Sequence, residues 1–289
     1  MPELPEVEVT RLGLAPHLEG RQVVSVLLRR DGLRWPFPPG LAATLAGQRI
    51  GLTGRRGKYL LIHFAHGTLI IHLGMSGHLR MLPLGTEPKK HDHVDFVVEA
   101  GDGGEGGEAG AANPGRQVLR LHDPRRFGAV LWHANDDGEL GQHVLLRGLG
   151  VEPLTAGFSG ELMFRASRGR RAPIKQFLLA GDVVVGVGNI YACESLFRAG
   201  INPNTSAGRI ARARYDTLAT AIRDILAEAI VQGGSTLRDF LAVNGQAGYF
   251  QQTYFVYDRE GVPCRNCGVP VRRIVQGQRS TFYCVHCQK

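Results

Sequence analysis

An α+β chain is what this sequence predicts: a leading helix and a β-rich sandwich or barrel, then helices, then a small module pinned by cysteines. Three observations carry that reading. Between Val23 and Val130 the apolar residues fall in short runs rich in β-branched side chains and broken by glycine. Beyond residues 148–158 the apolar spacing turns helical. Near the C-terminal end two CxxC pairs stand sixteen residues apart. A chain of 289 residues has room for two domains.

In chain order, residues 5–19 read as a helix, with Pro5 in its first turn and Glu6 and Glu8 at the positive end of its dipole. The runs KYLLIHF, TLIIHLGM, VDFVVEA and QVLRLHD read as strands. Residues 101–116 hold seven glycines and no large apolar side chain, so they read as a solvated insertion between two strands. ELMFRASRG and PIKQFLLAG read as short helices, NIYACESLFRAG as a helix closed by Gly200, and residues 211–234 as a long amphipathic helix stopped by Gly233 and Gly234. The expected division is 1–150, 151–255 and 256–289.

Hydrophobic residues make up 43% of the chain, enough for ordinary cores. No apolar run reaches the roughly 18 residues that span a bilayer. The first ten residues carry three glutamates and no apolar signal region, so a soluble, cytoplasmic protein is expected. A net charge of +8 with both signs present suits a structured domain that binds a polyanion. A basic protein with no such partner is the alternative.

Cys264, Cys267, Cys284 and Cys287 have the spacing of a four-thiolate zinc site on two knuckles joined by a hairpin. Four thiolates close the tetrahedron, so the zinc would be structural, and His286 inside the second knuckle is not needed. Two disulfides are the alternative. A hairpin this small cannot hold its own core. Its Arg272, Arg273 and Arg279 suit phosphate or base contacts, or are solvated charges.

The chain opens MPELPEVE. Methionine before proline is normally removed, and Pro2 would then carry a free secondary amine. An α-amino group titrates near pH 8, so part of it is neutral at pH 7 and able to attack a sugar C1′. Glu3 beside it could move protons. A helix start with favourable charges is the plainer reading. Asn189 follows Gly186-Val187-Gly188 at a helix start, where backbone N–H groups suit a phosphate or a simple cap.

These motifs, together with RRGKYLLI at 55–62, IIHLGMSG at 70–77, KHDHVDF at 90–96, HDPRRFGA at 122–129, VVGVGNIYACESLF at 184–197 and QRSTFYCVHCQK at 278–289, closely resemble the bacterial formamidopyrimidine-DNA glycosylase family, which also includes the endonuclease VIII enzymes. The resemblance runs over essentially the whole chain. It implies an N-terminal β-sandwich, a helix–two-turn–helix domain and a zinc finger. The implied activity is excision of formamidopyrimidines and 8-oxoguanine from double-stranded DNA, followed by β,δ-elimination.

By the same resemblance Pro2 is the nucleophile, Glu3 the proton donor, Lys58 the lysine that binds phosphate and assists β-elimination, and Arg279 the finger arginine of δ-elimination. His91, Arg125, Arg171 and Asn189 match DNA-contacting positions. Met75, Arg125 and Phe127 match the residues that enter the duplex where the damaged nucleotide leaves, as base flipping requires. Read alone, Met75 and Phe127 would be core residues.

One structural zinc, no small-molecule cofactor, a monomer and a nucleoid-associated location complete the expectation. The rivals are an endonuclease VIII-like enzyme for oxidised pyrimidines and a non-catalytic zinc protein that senses lesions. Residues 233–254, glycine-rich and polar, read as a loop that closes over the flipped base.

Overall fold

The computed structural model describes residues 2–99, 115–234 and 254–289. Nearly all of the glycine-rich insertion and of the expected lid at 233–254 lies outside the described residues. Contacts divide the chain into two compact units: Pro2 and residues 6–146 fall in the first, Glu3–Pro5, Arg147–Gly234 and the chain from Tyr254 onward in the second.

The first unit is built on two four-stranded antiparallel sheets. One has the order β1 (Val23–Leu28), β6 (Asp92–Glu99), β7 (Arg116–His122), β5 (His78–Pro83). The other runs β2 (Ile50–Arg56), β3 (Tyr59–Phe64), β4 (Gly67–His72), β8 (Ala129–Ala134). Alternate residues point to one face of a strand. Leu60 and Ile62 of β3 and Leu69 and Ile71 of β4 therefore share a buried face, and Val94, Phe96, Val98, Leu119 and Leu121 form another. Both faces belong to one hydrophobic cluster, which makes a sandwich and resolves the choice against a barrel.

Helix α1 (Leu4–Leu18) adds Val7, Leu14 and Leu18 to that core, and the short α2 (Leu41–Leu45) adds Leu41 and Leu45. Each such burial is worth about 1.5–3 kcal/mol. Register shifts between Asp92 and Val94. This bulge lies beside His91, where a kink re-aims the strand's end.

In the second unit, α3 (Gly160–Ser167) starts at Ser159, whose hydroxyl accepts from Leu162 N at 3.1 Å. α4 (Ile174–Ala180) and α5 (Asn189–Arg198) are joined through bends at 182–183 and at Gly186. α6 (Arg212–Val231) packs on both α3 and α5. Side chains 190–197 of α5 are all buried. The chain ends in a hairpin of β9 (Arg272–Gln276) and β10 (Arg279–Tyr283). Among the described residues no helix is long and apolar enough to cross a membrane.

Candidate active site and nucleic-acid interface

In the first unit Pro2 is buried. β2 and β3 meet at a two-residue turn, Arg56 pairing with Tyr59. Gly57 sits at φ 58°, the left-handed conformation that such a turn needs at its first central position. Lys58 is therefore held at the tip of a ladder whose far side is core. His72 lies against it: burial first, then the positive charges of Lys58 and Arg34, pushes His72 down to about 4, so the imidazole is neutral. Its Nδ1 accepts Gly74 N at 3.0 Å, and its ring meets Tyr59 with centroids 4.9 Å apart.

Met75 and Phe127 are exposed, at 38% and 45%, although both are large and apolar. Single exposed apolar residues are ordinary, but these two stand on loops joined to one another. Gly74, at φ 68°, brings its backbone so close that a side chain there would lie 2.5 Å from Phe127 C and Gly128 N. The guanidinium of Arg125 rests over the Phe127 ring at 5.2 Å. Arg126 between them has φ 56°, strained for a residue with a side chain.

His91 packs on His93 and His122, with ring centroids 6.4 and 5.8 Å away. The segment ahead of it is fixed from below. Arg120, almost fully buried, grips Asp95 through two bonds of 2.7 and 2.8 Å and donates to the carbonyls of Thr86 and Glu87. Asp92 accepts Lys89 N at 2.8 Å and meets His122 Nδ1 at 2.7 Å.

In the second unit the start of α5, where the sequence suits either a phosphate or a simple cap, holds a carboxylate. Glu3, 1% exposed, accepts from Gly188 N at 2.9 Å, Ile190 N at 3.0 Å and Tyr191 N at 3.4 Å. A carboxylate satisfies the orphan N–H groups and the positive dipole end as well as a phosphate would. Gly186 and Gly188 make this possible, since a side chain at either would overlap Leu4 or the Glu3 carboxyl. The cap residue is Gly188, so Asn189 is free for another partner. Its Nδ2 donates to Ser280 O at 3.0 Å, next to Arg279, and its side chain also hydrogen-bonds Tyr257.

Lys175, fully buried, donates to the same Ser280 carbonyl at 3.0 Å and to Thr281 Oγ1 at 2.6 Å. Burial pushes its pKa down. Arg279 itself is exposed, directly after the Gly277–Gln278 turn, and makes no ion pair among the described residues. Of the other finger arginines, Arg273 pairs with Glu260 at 3.4 Å, while Arg272 is exposed. Arg171 lies in a separate open cleft of about 500 Å³, lined with Arg170, Arg209, Ser206 and two glycines, and not with Asn189 or Glu3.

The Sγ atoms of Cys264, Cys267, Cys284 and Cys287 all lie within 4.8 Å of one another. Four bonds of about 2.3 Å to a central zinc would set the sulfurs about 3.8 Å apart. Cys264–Cys287 at 3.9 Å and Cys267–Cys284 at 3.5 Å fit that edge and are far too long for disulfides. The set is that of one closed structural zinc site, and the exposed His286 is not in it. As expected of so small a module, its apolar cluster is borrowed: Cys193 and Phe197 of α5 pack with Val271, Phe282 and Cys284.

Three residues of this geometry went unmarked in the sequence. His72 lies in the strand run TLIIHLGM, Lys175 in the helix run PIKQFLLAG and Tyr257 in the finger segment, 256–289. A lysine in the apolar run PIKQFLLAG was the one available signal.

The chain matches three family models: "Formamidopyrimidine-DNA glycosylase N-terminal domain" over residues 1–130, "Formamidopyrimidine-DNA glycosylase H2TH domain" over 149–241 and "Zinc finger found in FPG and IleRS" over 261–289. It is 66% identical to the formamidopyrimidine-DNA glycosylase of Herminiimonas arsenicoxydans over the full length of both chains. It is 56% identical to that of Ralstonia pickettii, again over all of both. Among solved structures, a Lactococcus lactis FPG mutant in complex with a Fapy-dG containing DNA superposes with TM-score 0.88 at 30% identity over 100% of both chains. The MutM (FPG) protein of Thermus thermophilus does so at 0.84 and 38% identity over 99% of this chain and 98% of that one.

Proposed function

The chain belongs to the formamidopyrimidine-DNA glycosylase family, and from that premise we propose that it excises formamidopyrimidines and 8-oxoguanine from duplex DNA and then cuts the strand at the abasic site. The Pro2 amine attacks C1′, the C1′–N bond to the damaged base breaks, and the sugar opens to an iminium on Pro2. Loss of the C2′ proton expels the 3′ phosphate, a second elimination expels the 5′ phosphate, and water releases the sugar remnant from Pro2. Glu3 supplies the proton to the sugar. Lys58 and Arg279 bind the phosphates that leave, and His91, Arg125, Arg171 and Asn189 hold the strand. Met75, Arg125 and Phe127 fill the gap left by the flipped nucleotide.

One observation carries this reading: the triple N–H clasp on Glu3. It fixes the residue bonded to Pro2, and a nucleophile works only when its position is set in advance. The zinc stabilises the finger that presents Arg279 and takes no part in the chemistry. We assign 1–150 to the catalytic sandwich, 151–255 to the helical domain and 256–289 to the finger. The enzyme is a monomer that needs no small-molecule cofactor and works on the nucleoid in the cytoplasm.

Borohydride trapping on an 8-oxoguanine·cytosine duplex tests the proposal. The untagged protein should cross-link, and a peptide fused ahead of Pro2 should abolish the adduct. Equal trapping by the fused protein rules out the Pro2 amine. Trapping on thymine glycol but not on 8-oxoguanine would favour an endonuclease VIII-like substrate.

A further inference from the structure

Asp123 is fully buried in the first unit, and its two carboxylate oxygens go to two different loops. Oδ1 accepts the Ser76 hydroxyl at 3.2 Å, and Oδ2 accepts Gly128 N at 2.8 Å. Ser76 follows Met75, and Gly128 follows Phe127. One side chain thus spans the loop that carries Met75 and the loop that carries Arg125 and Phe127.

Its backbone is held just as firmly. Asp123 N donates to His91 O at 3.0 Å, and its carbonyl meets His93 Nε2 at 2.9 Å and Arg126 N at 3.3 Å. The last of these closes a turn with Pro124 at its second position, where a fixed φ is favoured. A carboxylate buried so completely is costly unless it is hydrogen-bonded, and here each oxygen has a donor. A cheaper apolar residue could fill the same space, but it could not tie two loops at a set spacing.

We propose that Asp123 is a positioning residue that sets the separation of the Met75 and Phe127 wedges, so that the two enter the duplex together as the damaged nucleotide leaves. The inference rests on the proposed function, in which these side chains fill the vacated space. An asparagine can keep the same bridge, its carbonyl oxygen accepting from Gly128 N–H and its amide donating to the Ser76 hydroxyl. An alanine cannot.

The test uses the zinc-loaded full chain and a duplex with 2-aminopurine beside 8-oxoguanine, whose fluorescence reports unstacking. Asp123→Ala should slow both the fluorescence rise and base excision by about tenfold or more, because a wedge misplaced by an ångström loses most of its effect. Cleavage of a ready-made abasic site, which needs no base extruded, should stay within about threefold. Asp123→Asn should restore both signals to within about threefold of wild type. Normal opening by a folded Asp123→Ala overturns the inference, as does an Asn variant as slow as the alanine. Should Asp123→Ala not fold, Ser76→Ala decides: it cuts one arm alone, and opening at the wild-type rate overturns the idea. If wild type itself excises nothing and forms no trapped adduct, it is the glycosylase reading that has failed.

Discussion

Two hairpins offer a cation in the same way and stand on different supports. Lys58 is the second residue of the β2–β3 turn and Arg279 the first residue after the β9–β10 turn, and both turns have two residues with glycine first. The ladder behind Lys58 is the face of a sandwich core that also takes in α1 and α2. The ladder behind Arg279 has a few apolar contacts, some lent by α5, and is tied by four thiolates and by two donors on one carbonyl, Lys175 and Asn189. Apolar burial supports a hairpin diffusely; a metal and a buried ammonium support it at points. Point supports are the ones a single change removes.

Zinc should therefore separate the two hairpins, and this is the largest effect expected. Both tryptophans, Trp35 and Trp132, are in the first unit and report its unfolding. Chelation, or the double change Cys267→Ser and Cys284→Ser, should weaken binding to a lesion duplex by on the order of a hundredfold while the tryptophan transition moves little. A transition that collapses with the metal would show that the supports are not separate.

Next in size, Lys175→Met removes the buried ammonium from the Ser280 carbonyl and should cost about 2–3 kcal/mol, read by denaturant unfolding of the second unit through circular dichroism. It should also raise the share of β- over δ-elimination products on a gel, because Arg279 loses its register. Unchanged product ratios would deny the link from Lys175 to Arg279. Lys58→Ala should instead slow both eliminations.

Buried groups in the two units should also answer acid with opposite sign. His72 and His78 are each held down to about 4, chiefly by burial, against about 6.5 when unfolded. Between those values the unfolded chain binds more protons, so the first unit loses stability as pH falls from about 6.5 to 4 and levels off below. In the second unit burial raises Glu194 above its usual value despite bonds from three backbone N–H groups. That group holds its proton better folded than unfolded, so its contribution is present at low pH and lost as pH rises through its folded value. Urea unfolding by tryptophan fluorescence at pH 7, 5.5 and 4.5 should show a falling midpoint, flattened in His72→Gln. A midpoint independent of pH would remove the buried-histidine account. The smallest effect concerns Gln278, at φ 63° in the finger turn. Gln278→Gly should stabilise the finger by up to about 1 kcal/mol, measured as a higher midpoint for zinc loss.

Much of this was legible because it is local. β-branched runs such as VDFVVEA, the glycine stop after Arg198 and the paired cysteines each act within a few residues of themselves. Sandwich against barrel was not legible in the strand pattern itself, since it depends on where ladders stop; the family resemblance supplied the sandwich. The Glu3 clasp joins residues 185 and more positions apart, and only the glycines at 186 and 188 hint that something approaches. Met75 and Phe127 look like core by chemistry, and no periodicity says that Gly74 and Gly128 press their loops together and leave them outside. Lys175 went unmarked in the run PIKQFLLAG, because nothing near it in sequence shows the β10 carbonyl it serves.

The grip on residue 3 also bears on how this protein can be handled. The opposite end is held too: Lys289 donates its N–H to Gly200 and accepts from Asn202 N and the Arg214 guanidinium through its carbonyl. Neither end is a neutral handle. A fluorophore, an affinity tag or a surface tether attached at residue 2 competes with the clasp on α5, and one attached at residue 289 pulls on the knuckle of Cys284 and Cys287. Single-molecule work would do better to place its label on an exposed side chain in the middle of the chain, such as a cysteine introduced at Thr217 on the outer face of α6.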